Sequence, residues 1–216
     1  MAPDLASQIR KLERTFPPLS PERAELVARA SRELAGSGIT ERVLKAGGLA
    51  PDFTLPNAVG VPVSLGETLR NGPAVVTFYR GIWCPYCNLQ LKAYQRVLPE
   101  ILRRGVQLLA ISPQDPDKSQ ATLLKNFLKY EVLSDAGNGV SRRFGLVYQV
   151  PEWIRSLYVE LGTDLPAFNG DHSWELPLAG TFVIDRNRRI VFAFADSDPS
   201  VRCEPDAILA ALQPLS

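Results

Sequence analysis

The chain has 216 residues, with 24 Lys and Arg against 23 Asp and Glu and a formal charge of +1, so its composition offers neither a basic surface for nucleic acid nor an acidic disordered tail. Hydrophobic residues at 45% and charged residues at 22% suit a folded domain with an extension, and no apolar run approaches the ~20 residues of a membrane span. Three cysteines do not make a secreted disulfide scaffold, and Met1-Ala2-Pro3-Asp4 starts no basic-then-apolar leader; a cytoplasmic protein without a membrane or nucleic-acid partner is the expectation.

Residues 2–46 are predicted to be helical. Leu5, Ile9 and Leu12 keep helical spacing up to the break at Phe16-Pro17-Pro18. A second helix fits Pro21 to Leu34, with Ser20 as N-cap, Pro21 at the first position and Gly36 just past the end. These residues are expected to form an N-terminal helical extension, packed on the domain or supplying a homodimer surface. A domain over residues 47–216 follows. Asp52 to Leu55, a turn at Asn57 to Gly60, and Val61 to Leu65 read as a β-hairpin. Pro73 to Tyr79 is a continuous apolar run, as for a strand buried on both faces. A helix from about Pro85 to Arg104, kinked at Pro99, leads to a second buried strand at Gly105 to Ser112. Pro116 to Tyr130, capped by Asp115, reads as a helix, and Glu131 to Ser134 as a third strand. Gly137 to Gly170 reads as loop, with one short helix around Glu152 to Leu161. Thr181 to Asp185 and Arg189 to Ala195 form an antiparallel hairpin, and a last helix opens at Glu204-Pro205 and runs to about Leu212. The β-α-β-α-β order implies an α/β fold with right-handed crossovers.

The chemistry lies in Trp83-Cys84-Pro85-Tyr86-Cys87. The pair follows a buried strand and opens a helix. Free backbone N–H groups and the positive end of the helix dipole favour a thiolate there, so Cys84 should ionise below the ~8.5 of a free thiol. Cys87, one turn on, can resolve an oxidised Cys84 as a disulfide. One C-x-x-C and one histidine, His172, fall short of the four ligands of a zinc site, so no metal and no other cofactor is expected.

The segment WCPYC after VVTFYRG resembles the thioredoxin-superfamily active site, and its C-P-Y-C resembles that of glutaredoxin. Gly48-Leu49-Ala50-Pro51-Asp52-Phe53-Thr54-Leu55 and Thr181-Phe182-Val183-Ile184-Asp185 resemble the A-P-D-F-T-L and T-F-V-I-D segments of the AhpC/TSA peroxiredoxin-like family. The resemblance spans about Gly47 to Leu212. It implies a thioredoxin-like fold, a central mixed β-sheet flanked by helices. It also implies a thiol peroxidase that reduces hydrogen peroxide or organic hydroperoxides: Cys84 attacks, Cys87 condenses with it, and thioredoxin or glutathione regenerates the pair. The family pattern P-x-x-x-T/S-x-x-C is not met in full. Gly81 stands where the hydroxyl residue is usual, and Thr77 where the proline is. Nor does a proline immediately precede the T-F-V-I-D segment: Ala179-Gly180 stand there, and Pro177 is the nearest. The alternative is a thiol–disulfide oxidoreductase acting on protein or glutathione disulfides through the same residues. A third reading, copper binding by the two cysteines and His172, rests on thioredoxin-fold copper chaperones, which have C-x-x-x-C instead.

Arg80, four residues before Cys84, and Arg202, after the late hairpin, are candidates to steady the thiolate and orient a peroxide. Trp83 and Tyr86 are candidates to shape a substrate groove. Arg142 and Arg143 read as a solvated helix face, Tyr148, Trp153 and Trp174 as core or loop anchors, and Cys203 as a passive small residue beside a helix start.

Overall fold

The computed structural model describes residues 4–215. Three helices come first: α1 (Leu5–Glu13), α2 (Pro21–Gly36) and α3 (Ile39–Arg42). Ser20 caps α2 with Pro21 at its first turn, but the helix continues through Gly36, and the left-handed residue that turns the chain is Gly38 (φ 70°). β1 (Thr54–Pro56) and β2 (Pro62–Ser64) make the small hairpin. Leu65 does not extend it. Ser64 accepts from the Glu67 N–H and caps a helix that the sequence reading missed, α4 (Leu65–Asn71).

The rest follows as β3 (Ala74–Phe78), α5 (Pro85–Arg103), β4 (Gln107–Ser112), α6 (Pro116–Asn126), β5 (Glu131–Ser134), α7 (Gly139–Arg143), β6 (Val147–Gln149), α8 (Glu152–Glu160), α9 (Leu165–Asn169), β7 (Glu175–Pro177), β8 (Gly180–Ile184), β9 (Ile190–Ala195) and α10 (Pro205–Leu212). The central sheet has the order β5-β4-β3-β8-β9, with β3, β4 and β5 parallel and β8 and β9 antiparallel. α5 remains one helix through Pro99. α6 stops four residues short of the expected Tyr130, because Phe127 turns left-handed (φ 53°) and the Leu128 N–H closes back on the Leu123 carbonyl. Residues 137–170 are more ordered than expected, holding α7, β6, α8 and α9, and β6 pairs antiparallel with β7 in a small two-stranded sheet.

Strand alternation divides the core. Val75, Leu108, Val132 and Val183 face α5, α10 and α1, whose Leu5 and Ile9 are buried there. Val76, Phe78, Leu109, Ile111 and Phe182 face Ile39, Leu65, Leu69 and Phe144 on the other side. Burying a side chain of this size is worth about 1.5–3 kcal/mol. The Glu204 carboxylate ties α1 to the opposite end of the chain by accepting the Leu5 and Ala6 N–H groups at 2.9 and 2.8 Å. A third apolar cluster, Val150, Ile154, Leu157, Leu165 and Leu176, lies under α8 and α9, with Leu26 and Ala30 of α2 against it.

Candidate active site

Parallel pairing ends β3 at Phe78, beside Ile111 of β4, and the chain leaves the sheet edge through Tyr79 to Trp83. Cys84 is the N-cap of α5, and its sulfur accepts the Cys87 N–H at 3.3 Å. That bond satisfies one of the orphan donors at the helix start and lends the sulfur the positive end of the dipole. Cys84 and Cys87 are both fully buried and are free thiols.

Two arginines converge on the pair. Arg80 Nη2 donates to Cys84 Sγ at 3.3 Å. Arg202, 115 residues from Cys87 in sequence, donates from Nη1 to Cys87 Sγ at 3.5 Å and from Nη2 towards Cys84 Sγ at 3.8 Å. Burial alone pushes the Cys84 thiol up. The hydrogen bond from Cys87, the charges of Arg80 and Arg202 and the Cys87 N–H outweigh it and hold Cys84 well below the ordinary thiol range. Cys87 goes the other way. Burial, its bond to Cys84 and the Cys84 charge push it well above that range, against the two arginines. The two neighbouring thiols are thus displaced in opposite directions, Cys84 down and Cys87 up.

Arg202 is itself held by residues the sequence reading did not single out. Its Nη1 donates to Gln90 Oε1 at 2.7 Å and its Nε to the Pro199 carbonyl at 2.7 Å. Gln90 Nε2 donates to the Tyr94 hydroxyl at 2.8 Å, which lies 3.0 Å from Thr181 Oγ1, itself 3.0 Å from Thr77 Oγ1. The signal available in sequence was helical spacing: Cys87, Gln90 and Tyr94 lie three and four residues apart, on one face of α5.

Gly81 has a specific role. An ideal Cβ there would lie 2.4 Å from Trp83 Nε1, and its φ of 155° is one that other residues rarely adopt. The indole occupies the space a side chain at 81 would need, and its N–H is buried with no acceptor among the described residues. Ile82 N–H is fixed by Gln114 Oε1 at 2.8 Å.

Of the two aromatic candidates, Trp83 packs edge-on against Tyr158 of α8 and Tyr86 edge-on against Phe16, with its hydroxyl on Glu13. They turn to different neighbours. Tyr148 packs against the second and third apolar clusters and also lines a cavity beside Arg80. Trp153 lies under Arg29 and Trp174 under Arg155. Arg142 and Arg143 are exposed but engaged, with Glu175 and the Asp52 carbonyl respectively. Cys203 is buried, and burial pushes its thiol up to about 12. His172 is exposed, and among the described residues no three His, Cys, Asp or Glu side chains group to hold a metal ion. No helix among those residues is long and apolar enough to cross a membrane.

The AhpC/TSA family model matches residues 46–193. The chain is 35% identical over 100 residues to chloroplastic peroxiredoxin Q of Gentiana triflora, covering 46% of each protein. It is 33% identical over 103 residues to peroxiredoxin Bcp of Escherichia coli K12, covering 48% of this chain and 65% of that one. The matched stretch thus spans about half to two-thirds of these relatives. Among solved structures, the peroxidoxin BcpB of Mycobacterium tuberculosis superposes with a TM-score of 0.63 at 23% identity, over 80% of this chain and 99% of that one. The bacterioferritin comigratory protein of Xanthomonas campestris, described for alkyl peroxide reduction, superposes with a TM-score of 0.57 at 17% identity, over 75% and 90%.

Proposed function

The chain belongs to the AhpC/TSA family, and from that membership we propose that it is a thiol peroxidase working through a Cys84–Cys87 dithiol/disulfide cycle. The observation that carries this reading is the placement of Cys84 as the N-cap of α5, its sulfur accepting from the Cys87 N–H and from Arg80 with Arg202 beside it; the same contacts displace Cys84 towards thiolate, and burial displaces Cys87 towards thiol. The Cys84 thiolate attacks the terminal peroxide oxygen. An S–O bond forms, the O–O bond breaks, sulfur loses two electrons, and the departing oxygen takes a proton to leave as water or alcohol. Arg80 and Arg202 act on both charges, the thiolate before attack and the oxyanion after it. Cys87 then displaces hydroxide from the Cys84 sulfenic acid; its own proton completes a water molecule and a disulfide remains.

A thioredoxin-like dithiol or glutathione returns the pair to thiols by exchange. The reading includes a cytoplasmic, reducing setting and a homodimer built on the helices before Gly47. Exposed Phe16, Leu19 and Val27 support such a surface. Full burial of both sulfurs favours a small peroxide over a protein disulfide, because exchange needs sulfur to approach sulfur directly.

The test uses Cys87→Ser, which cannot resolve. One equivalent of hydrogen peroxide should leave a sulfenic acid on Cys84 that dimedone captures, seen by peptide mass, whereas the wild type ends as a Cys84–Cys87 disulfide. Oxidation falling on Cys203 instead, or equally on all three cysteines, contradicts the reading.

A further inference from the structure

Arg80 and Arg202 share a single anionic partner. Both reach Cys84 Sγ, at 3.3 and 3.8 Å, and neither pairs with a carboxylate among the described residues. The other bonds of the Arg202 guanidinium go to the Pro199 carbonyl, Gln90 and the Cys87 sulfur. Arg202 is buried, and so is Arg80 Nε, which has no hydrogen-bond partner among the described residues. Charges taken out of water are stable only where they are paired. In the reduced protein the Cys84 thiolate supplies that pairing. Formation of the Cys84–Cys87 disulfide removes it: an S–S bond forms, and the pair gives up two electrons and the remaining thiol proton. Two largely buried guanidinium groups then have no counter-ion of their own.

Both arginines also line a cavity of about 390 Å³ between α2, α8, β6 and residues 196–202, within the size range of small-molecule sites. Tyr148 and Tyr158 line it beside them. Their phenols act electrostatically on Arg80, and neither hydroxyl has a hydrogen-bond partner among the described residues. Arg80 thus meets the cavity with its own unpaired Nε–H and two unpaired phenol O–H groups nearby. The carboxylates in the lining are engaged elsewhere. Glu33 Oε1 pairs with Arg29 at 2.8 Å, and Asp196 Oδ1 accepts the Asp198 N–H at 2.8 Å. Exposed Arg42 completes the charged lining. Three arginines against two carboxylates leave room for one more negative charge once the thiolate is gone. Leu34, Ile154 and Leu178 give the cavity an apolar wall as well.

We propose that this cavity is a redox-linked anion site: when Cys84 enters the disulfide, a small monocarboxylate binds there and replaces the thiolate as counter-ion of Arg80 and Arg202. The inference rests on the thiolate and the disulfide of the proposed cycle and is independent of what oxidises them. The occupant does not react. A carboxylate suits the donors, because a planar guanidinium takes it side-on through charge-assisted bonds while the two phenols donate to the same oxygens. A short hydrocarbon tail meets Leu34, Ile154 and Leu178. Glu33 and Asp196 disfavour a second negative charge. In the reduced protein the thiolate already neutralises the arginines and repels an incoming anion, so the same site binds weakly. Coupling is reciprocal: an occupant that prefers the oxidised protein resists its reduction. The cavity therefore lets carboxylate concentration hold back the return half of the cycle.

The experiment is calorimetric titration of hexanoate into the wild type oxidised by diamide, the wild type reduced by dithiothreitol, and Cys84→Ser. Binding to the oxidised protein should be saturable and about tenfold or more tighter than to the reduced protein, within the usual range for coupled sites. Cys84→Ser has no thiolate and should bind as the oxidised protein does. Tyr148→Phe, oxidised, should bind about tenfold more weakly, the scale of one hydrogen bond to a charged group. The linked readout is the equilibrium with dithiothreitol, whose two thiols give their electrons to the disulfide and close into a ring. Saturating hexanoate should raise the ratio of reduced to oxidised dithiothreitol needed for half-reduction by the same factor that separates the two affinities. Equal affinity for the oxidised and reduced proteins, no saturable binding to the oxidised one, unchanged affinity in Tyr148→Phe, or 1-hexanol bound as tightly as hexanoate overturns the proposal. Diamide makes the disulfide without peroxide, so a failure of the peroxidase reading leaves this test intact and is recognised separately, by the reaction with hydrogen peroxide.

Discussion

Arg202 is fixed by Gln90, whose Oε1 accepts the Arg202 Nη1–H at 2.7 Å. The guanidinium so held spans both sulfurs of the redox pair, and Gln90 rests in turn on Tyr94. An arginine has free rotamers to lose; here a buried amide on α5 fixes the choice. Gln90 is therefore a positioning residue for the Cys84 thiolate.

Gln90→Leu should loosen Arg202 and raise the pH at which Cys84 ionises. Alkylation of Cys84 by iodoacetamide, followed against pH, should shift to higher pH. The rate below neutrality should fall roughly tenfold, the scale of one charge-assisted hydrogen bond. A fall in rate without a shift of the pH profile would mean a merely structural role.

Arg80→Met and Arg202→Met should each slow peroxide reduction, by about ten- to a thousandfold if each guanidinium serves the transition state. Steady-state kinetics with hydrogen peroxide decide this.

Gly81→Thr restores a hydroxyl at the position where the family pattern carries one, yet the Trp83 indole fills that space. The variant should push Trp83 away, alter its fluorescence and lower stability by about 1–3 kcal/mol from backbone strain alone. Activity should not rise. Urea unfolding monitored by tryptophan emission measures both effects.

The pH dependence of stability follows from the pair. Cys84 ionises lower when folded than its ordinary 9.0, so it stabilises the reduced protein above 9.0, and that contribution is lost as pH falls through the folded value. Cys87 ionises above 9.0 when folded, so its contribution is present below 9.0 and is lost as pH rises. Compared with wild type, Cys84→Ser should flatten the acid side of the stability curve and Cys87→Ser the alkaline side. Urea midpoints across this range test the signs.

Glu204→Gln should destabilise the protein by about 0.5–2 kcal/mol, the range of a lost N-terminal cap, because it accepts two N–H groups at the start of α1. Thermal unfolding is the measurement. Cys203→Ala should leave the redox cycle intact, since that thiol is buried and pushed up to about 12.

The strand before Cys84, the helix after it and the late hairpin were legible because each follows a local rule: a buried apolar run, Pro85 at a first turn, two apolar runs flanking the 186–188 turn. Arg80 was legible by adjacency. Gln90 was not, because a glutamine on a helix is normally solvated and its link to the sulfurs depends on Arg202, which returns from 112 residues away. Within 137–170 α8 was legible, but α7 and α9 were hidden because short segments such as Gly139–Arg143 are stabilised by tertiary bonds, here the Asp135 carboxylate accepting from Val140 and Ser141, and carry too little periodicity of their own. The cavity could not be read at all. It exists only where α2 meets α8 and β6.

The most direct measurement is stopped-flow tryptophan fluorescence of the fully reduced protein mixed with hydrogen peroxide, with Cys84→Ser as control. Trp83 is the reporter beside the sulfur. The account expects a bimolecular reaction orders of magnitude faster than that of a free thiol, ending in one Cys84–Cys87 disulfide and absent in the control. A rate no greater than a free thiol's, or a signal that survives Cys84→Ser, would contradict it.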